Sequence, residues 1–205
     1  MKLLKYIWII GGGQLQIPLI EEAKKLGYST IVTDINPNCV CSDIADIFKN
    51  VDIFDIESNI SLYERSFKTD LSIEIVGVLA AGIDGHQTMA YLSNHMGLVS
   101  VSPKIADLVI NKDLFRERMK KLGIETPRFK SITINDIPNL KNLTDQIGYP
   151  LIIKNTSSSG SRGTKIFYEP NIEEMILITK EAINVSRSKR ALIESFWVGT
   201  EHTVE

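Results

Sequence analysis

The strongest chemical signal in this sequence is a lysine followed by a loop of small residues. Lys154 ends the apolar run Tyr149-Pro150-Leu151-Ile152-Ile153-Lys154. A lysine at the end of a buried strand can lay its stem along the sheet and present its ammonium to a phosphate. Next comes Ser157-Ser158-Ser159-Gly160-Ser161-Arg162-Gly163-Thr164, which leads straight into a strand pattern. Small residues let backbone N–H groups close over phosphate oxygens, the serines add hydroxyl donors, and Arg162 adds a charged fork. This is not a Walker loop, because the lysine precedes the loop and no helix follows it. The alternative is a flexible hairpin connection, the usual use of a Ser/Gly run.

Two further segments bear on that chemistry. Ala191-Leu192-Ile193-Glu194-Ser195 reads as a buried strand running into a hinge of large apolar residues, Phe196-Trp197-Val198, then Gly199-Thr200-Glu201. Such a segment can offer backbone donors and acceptors to an adenine edge and apolar faces to the ring, and a carboxylate just beyond can take ribose hydroxyls. Lys112, in Ile110-Asn111-Lys112-Asp113, lies between two apolar helical stretches; on its own it reads as a solvated helix lysine.

The first half offers a different kind of site. Gly11-Gly12-Gly13-Gln14-Leu15-Gln16 follows a strand and opens a helix, and Asp34 ends the next strand. That is the context of a dinucleotide-binding turn. The third glycine of G-x-G-x-x-G is missing, and Gln16 in its place is expected to obstruct close helix–strand packing. A tight turn serving a small substrate, or only the fold, is the competing reading. Ala80-Ala81-Gly82-Ile83-Asp84-Gly85-His86 sits at the carboxyl end of another buried strand, where open α/β sheets bind ligands. Gly12, Gly13, Asp34, Gly82, Asp84 and Gly85 are therefore candidates for one substrate crevice; the alternative is that Asp84-Gly85 is only a turn.

The elements that position these residues follow from apolar spacing. Strands are expected at 6–10, 29–33, 47–51, 75–80 and 98–101, with helices at 17–26, 60–67 and 87–96. The continuous apolar strands predict a parallel sheet covered by helices. Ser102-Pro103 then starts a helix expected to run unbroken to Gly123. Beyond it, strands at 129–134, 150–154, 164–168 and 191–196, with helices at 136–147 and 172–186, predict an α+β unit with a largely antiparallel sheet. Residues 201–205 alternate like the opening of one more strand, which suggests that the polypeptide is the front part of a longer one.

Composition narrows the function classes. The chain has 205 residues, 23 Lys+Arg against 25 Asp+Glu, and a formal net charge of −2. No basic field argues for nucleic acid or an anionic membrane. No apolar stretch approaches the ~20 residues that span a bilayer. Cys39 and Cys41 form neither a Cys-x-x-Cys nor a disulfide framework. A cytoplasmic protein is the default expectation.

In order and spacing, Lys112, strand 150–154, loop 157–164, strand 191–194 and Gly199-Thr200-Glu201 resemble ATP-grasp enzymes. Gly11-Gly12-Gly13-Gln14-Leu15, Ser102-Pro103, Asn111-Lys112 and Gly123-Ile124-Glu125-Thr126-Pro127 are similar to the carbamoyl-phosphate synthase, biotin carboxylase and purine-biosynthesis branches. The resemblance implies a Rossmann-like pre-ATP-grasp domain over 1–102. It implies an incomplete ATP-grasp domain over 103–205, with a linker helix at 103–123, a lid subdomain at about 126–197 and the start of the large lobe at 198–205. It implies that Lys112 and Lys154 contact the ATP phosphates, that loop 157–164 closes over them, that Glu194 and the backbone near Trp197 frame the adenine, and that Glu201 holds the ribose. The implied chemistry activates a small carboxylate, or bicarbonate, as an acyl phosphate for attack by an amine or other nucleophile. Magnesium ligands are expected beyond residue 205, so the chain alone is expected to be inactive. Many relatives are dimers, so a homodimer is one expectation. An NAD(P)-dependent oxidoreductase and a non-catalytic ligand-binding module are the alternatives.

Overall fold

The computed structural model describes residues 3–157, 163–200 and 202. The chain divides into two compact units, Met1–Asp107 and Leu108–Glu205.

The first unit alternates strands and helices: β1 (Leu4–Ile10), α1 (Ile17–Lys25), β2 (Ser29–Asp34), β3 (Ile47–Asn50), α2 (Ile56–Ser66), β4 (Ile73–Leu79) and α3 (His86–His95). The strands form one parallel sheet in the order β3-β2-β1-β4. Strand β1 is buried on both faces. Trp8 and Ile10 join a core with Ile31, Val78 and Leu92; Ile9 joins Ile20, Val32 and Cys41 on the other side. The Trp8 indole Nε1 donates to Thr33 Oγ1 at 3.1 Å, so the buried ring leaves no polar group unpaired. The strand order changes direction at β1, with β2 on one side and β4 on the other. The crevice of such a sheet lies at the carboxyl ends of the two strands flanking that switch.

The strand expected at 98–101 does not form. Gly97, at φ +70°, ends α3: its N–H donates to Asn94 O at 3.2 Å, and Leu98 N–H donates to Ser93 O at 2.8 Å. Leu98 packs back on the core, while Val99 is fully exposed. The apolar pattern reflects this helix-ending contact rather than a sheet partner.

The division between units falls inside α4 (Pro103–Ile110), which is followed by α5 (Lys112–Lys121). The single helix expected from 103 to 123 is thus two. Asn111 is extended, at φ −94° and ψ +102°. The Lys112 N–H donates to Thr156 O at 2.9 Å instead of continuing the helix.

The second unit continues with β5 (Phe129–Ile132), α6 (Leu140–Ile147), β6 (Leu151–Asn155), β7 (Lys165–Phe167), α7 (Ile172–Val185) and β8 (Ala191–Ser195). Its four strands pair antiparallel in the order β5-β8-β6-β7. Leu151, Ile153, Ala191 and Ile193 face α6 and α7 and pack against Leu140, Ile147, Met175 and Ala182. Alternation then turns Ser131, Lys154 and Glu194 to the opposite face. The strand expected at 201–205 lies outside the described residues, apart from His202, which is in no strand.

Candidate functional site

The functional face of the second unit is organised around Glu194. Glu194 is only 4% exposed. Oε1 is paired with Lys154 Nζ. Arg116 Nε donates to Oε2 at 2.9 Å and its Nη2 donates to Oε1 at 3.3 Å. Register explains the meeting: Glu194 lies opposite Ile152, and Lys154 is two residues further along β6 on the same face. Burial pushes the Glu194 carboxyl up, but the Arg116 bond and the Lys154 charge outweigh it and hold the group below its ordinary range. Two cations on one carboxylate leave an excess positive charge on this face.

Lys112 begins α5 at the end of β6. Its Nζ lies 3.4 Å from Asn155 Oδ1, and its backbone N–H holds Thr156 O. The two candidate phosphate lysines are thereby tied to neighbouring positions of one strand, Lys154 being part of it and Lys112 bonded to Asn155.

The base of the small-residue loop is fixed at both ends. Thr156 Oγ1 shares hydrogen bonds with Ser186 Oγ at 2.9 Å and Ser188 Oγ at 2.5 Å; Ser157 Oγ meets Ser186 Oγ at 3.0 Å and accepts from Ser188 N at 3.1 Å. At the far end Gly163 has φ +62°, and a Cβ there would sit 2.7 Å from the Ala182 Cα and N. Only glycine combines that backbone with that approach to α7. Ser158, Ser159, Gly160, Ser161, Arg162 and Glu201 lie outside the described residues. Phe196 N donates to Pro150 O at 2.9 Å, after which Trp197 and Val198 stand 55% and 82% exposed.

Sequence reasoning missed Arg116, Asp113 and Arg190. Asp113 is buried, accepts from Ser131 Oγ at 2.8 Å, and lies 2.8 Å from Arg190 Nε in an ion pair without hydrogen-bond alignment. Its spacing to Arg116, three residues along α5, puts both on one helix face. That spacing was visible, but which face meets the sheet was not.

The candidates of the first unit gather at the carboxyl ends of β1, β2 and β4. Asp34 Oδ2 accepts from Gly12 N at 2.7 Å and its Oδ1 accepts from Asn36 N at 2.8 Å. Gln16 does not obstruct. It folds inward, 2% exposed, its Oε1 accepting from Gly13 N at 3.0 Å and its Nε2 donating to Ala81 O at 2.5 Å. Gln16 thus joins the loop after β1 to the loop after β4. A Cβ on Gly12 would meet Cys39 Sγ at 2.3 Å, one on Gly82 would meet Leu15 Cδ1 at 2.9 Å, and one on Gly85 would meet Ile10 Cγ2 at 2.6 Å. Asp84 lies between the last two glycines.

Among the described residues no group of three or more His, Cys, Asp or Glu could hold a metal ion. The buried carboxylates Glu194 and Asp113 are already held by cations. These residues do not fit a magnesium site, which needs free carboxylate oxygens. A separate open cleft of about 620 Å³, lined by Gly123, Thr126, Arg128, Lys130 and Gln146 among others, contains none of the candidate side chains. Among the described residues, no helix is long and apolar enough to cross a membrane.

A parallel-sheet unit followed by an antiparallel unit with a lysine near the end of a strand, a small-residue loop and an apolar hinge defines an ATP-grasp-type architecture. Residues 4–105 match the family model for the ribonucleotide synthetase preATP-grasp domain, and residues 111–204 match that for the carbamoyl-phosphate synthase L chain ATP-binding domain. The carbamoyl phosphate synthase large chain of Archaeoglobus fulgidus is 25% identical over 96% of this chain and 19% of its own length. A crystal structure of phosphoribosylglycinamide synthetase from Anaerococcus prevotii superposes with a TM-score of 0.61 at 25% identity, over 95% of this chain and 46% of that one. The biotin carboxylase domain dimer of the Hydrogenobacter thermophilus 2-oxoglutarate carboxylase, solved with MgADP, ADP and bicarbonate, shares the fold at a TM-score of 0.67 and 20% identity, over 96% of this chain and 45% of that one. The chain belongs to the ATP-grasp superfamily and corresponds to its N-terminal part. It spans about a fifth of the carbamoyl phosphate synthase relative and under half of the two solved structures.

Proposed function

We propose that this chain is the ATP-binding front part of an ATP-grasp ligase, with a pre-ATP-grasp domain over 1–102 and the opening of the ATP-grasp domain over 103–205. The observation that carries the reading is the excess of positive charge where Lys154 and Arg116 share Glu194, beside the strand that leads into a small-residue loop whose base is fixed. Lys154 and Lys112 hold the phosphates. Residues 157–164 close over them through Ser158, Ser159, Gly160, Ser161, Arg162 and Gly163. Phe196, Trp197 and Val198 supply the adenine site, Glu194 closes its inner side, and Glu201 takes the ribose. Bound ATP supplies a phosphoryl group that turns a carboxylate or bicarbonate into an acyl phosphate for an amine or other nucleophile. Positioning and charge stabilisation by the protein do most of the work in such transfers. The crevice of Gly12, Gly13, Asp34, Gly82, Asp84 and Gly85 takes the small-molecule substrate, the Gly12 and Gly13 N–H groups shaping its wall through Asp34 and Gln16 rather than binding the substrate's charge. The whole protein works with MgATP, as a homodimer in the cytoplasm.

The dinucleotide alternative has less to stand on. The N–H groups of Gly12 and Gly13, which would meet a pyrophosphate, are already taken by Asp34 and Gln16. An amide-resolved NMR titration with ATP and with NADH tests the reading. ATP is expected to shift the residues around Lys154, and NADH to leave Gly11–Gln16 unmoved. ATP affinity is expected to fall in both Lys154→Ala and Lys112→Ala. Unchanged affinity in both variants overturns the phosphate assignment.

A further inference from the structure

We infer that Arg116 is a positioning residue for the phosphate site: by holding Glu194, it keeps the Lys154 ammonium available to an anionic ligand. The inference rests on the nucleotide reading above and adds to it a residue that neither the loop nor the strand motif contains.

The argument is one of charge and geometry. Lys154 and Glu194 are diagonal neighbours on the same face of adjacent antiparallel strands, and Glu194 is almost wholly buried. Left to themselves they would form a closed neutral pair, and a buried ammonium satisfied by its own carboxylate has little attraction left for a phosphate. Arg116 changes that balance. It approaches from α5 and engages both carboxylate oxygens, at 2.9 Å and 3.3 Å. A guanidinium fork on a carboxylate is the stronger and more directional partner. The Arg116–Glu194–Lys154 triad therefore carries one net positive charge. The Arg116 side chain is a quarter exposed and that of Lys154 about a fifth. An anion can reach Lys154 while Arg116 remains the counter-charge of Glu194. The ligand class is a polyphosphate; a neutral nucleoside gains nothing from the net charge.

The test measures affinities of the full 205-residue chain for ATP and for adenosine by NMR titration, in the wild type, Arg116→Met and Arg116→Lys. The Glu194 side-chain carboxyl is followed by 13C NMR against pH. Arg116→Met is expected to weaken ATP about tenfold and adenosine by less than about twofold, because only the phosphates feel the lost charge. The Glu194 titration should move upward, since its strongest hydrogen-bonding partner is gone. Arg116→Lys, which keeps the charge, should retain ATP affinity within about threefold. An equal loss for both ligands marks Arg116 as merely structural and overturns the inference, as does unchanged ATP affinity in Arg116→Met. Should Arg116→Met not fold, Arg116→Gln decides by the same two affinities: a loss confined to ATP supports the inference, and an equal loss for ATP and adenosine, or no loss of ATP affinity, overturns it. A wild-type chain that binds neither ligand overturns the nucleotide reading itself; wild-type binding with an indifferent Arg116→Met overturns this inference alone.

Discussion

The two units each place polar groups at strand ends, and they treat them in opposite ways. In the first unit the glycine turn looks like an anion cradle, but its donors are spent internally. Gly12 N–H goes to Asp34 and Gly13 N–H to Gln16, and Cys39 fills the space a Cβ on Gly12 would need. In the second unit one carboxylate is shared by two cations, with the loop anchored on either side. A Gly-rich turn becomes an anion site only if its N–H groups are left without partners. A lysine becomes one only if its counter-ion is otherwise engaged. The second unit meets its condition and the turn in the first does not.

The contrast can be broken by substitution. The largest effect is expected from Gly12→Ala, where the new Cβ meets Cys39 Sγ at 2.3 Å. Overpacking of this kind should cost about 3 kcal/mol in urea denaturation; a loss below about 1 kcal/mol would show that the Cys39 loop is free to yield. Asp34→Ala removes the acceptor of two backbone N–H groups. It should cost about 2 kcal/mol by the same measurement. Full stability in that variant would mean that the turn does not depend on its internal carboxylate. In the second unit, Lys154→Ala should weaken ATP about tenfold with little loss of stability, because Arg116 still neutralises the buried Glu194 carboxylate.

Acid sharpens the comparison. The Glu194 carboxyl is held low in the folded protein, so its contribution to stability is present above the ordinary carboxylate range and is lost as pH falls through the lowered value. Urea midpoints of the wild type should fall more steeply below about pH 4 than those of Glu194→Gln. Parallel curves would remove the charge argument. The smallest effect concerns the Cys41 thiol, which burial pushes up to about 11. Native protein at pH 8 should label slowly with a thiol reagent, and denatured protein quickly.

Much of this was legible in the sequence, for identifiable reasons. The β1 run and the 151–155 run are continuous or alternating apolar segments bounded by glycine or proline, so their burial follows from pattern. The helix break at Asn111 was not legible. Nothing local forbids helix there; a carbonyl 44 residues away, at Thr156, claims the Lys112 N–H. The segment at 98–101 has strand composition, yet a helix end uses Leu98 first. Lys154 and Glu194 were visible as candidates, but their pairing depends on antiparallel register. Arg116 was hidden by its commonplace setting on a charged helix. By size alone Gln16 is an obstacle to close packing; its two hydrogen-bonding ends, which join the loops after β1 and β4, carry no local sequence signal.

The central claim, that the second unit is the anion site and the glycine turn of the first is not, is most directly tested by adding MgATP to isotopically labelled protein and mapping amide shifts. The account predicts shifts centred on Lys112, Lys154–Ser157 and Glu194, with Gly11–Gln16 unmoved. Shifts centred on Gly11–Gln16, with the Lys154 strand silent, would contradict it.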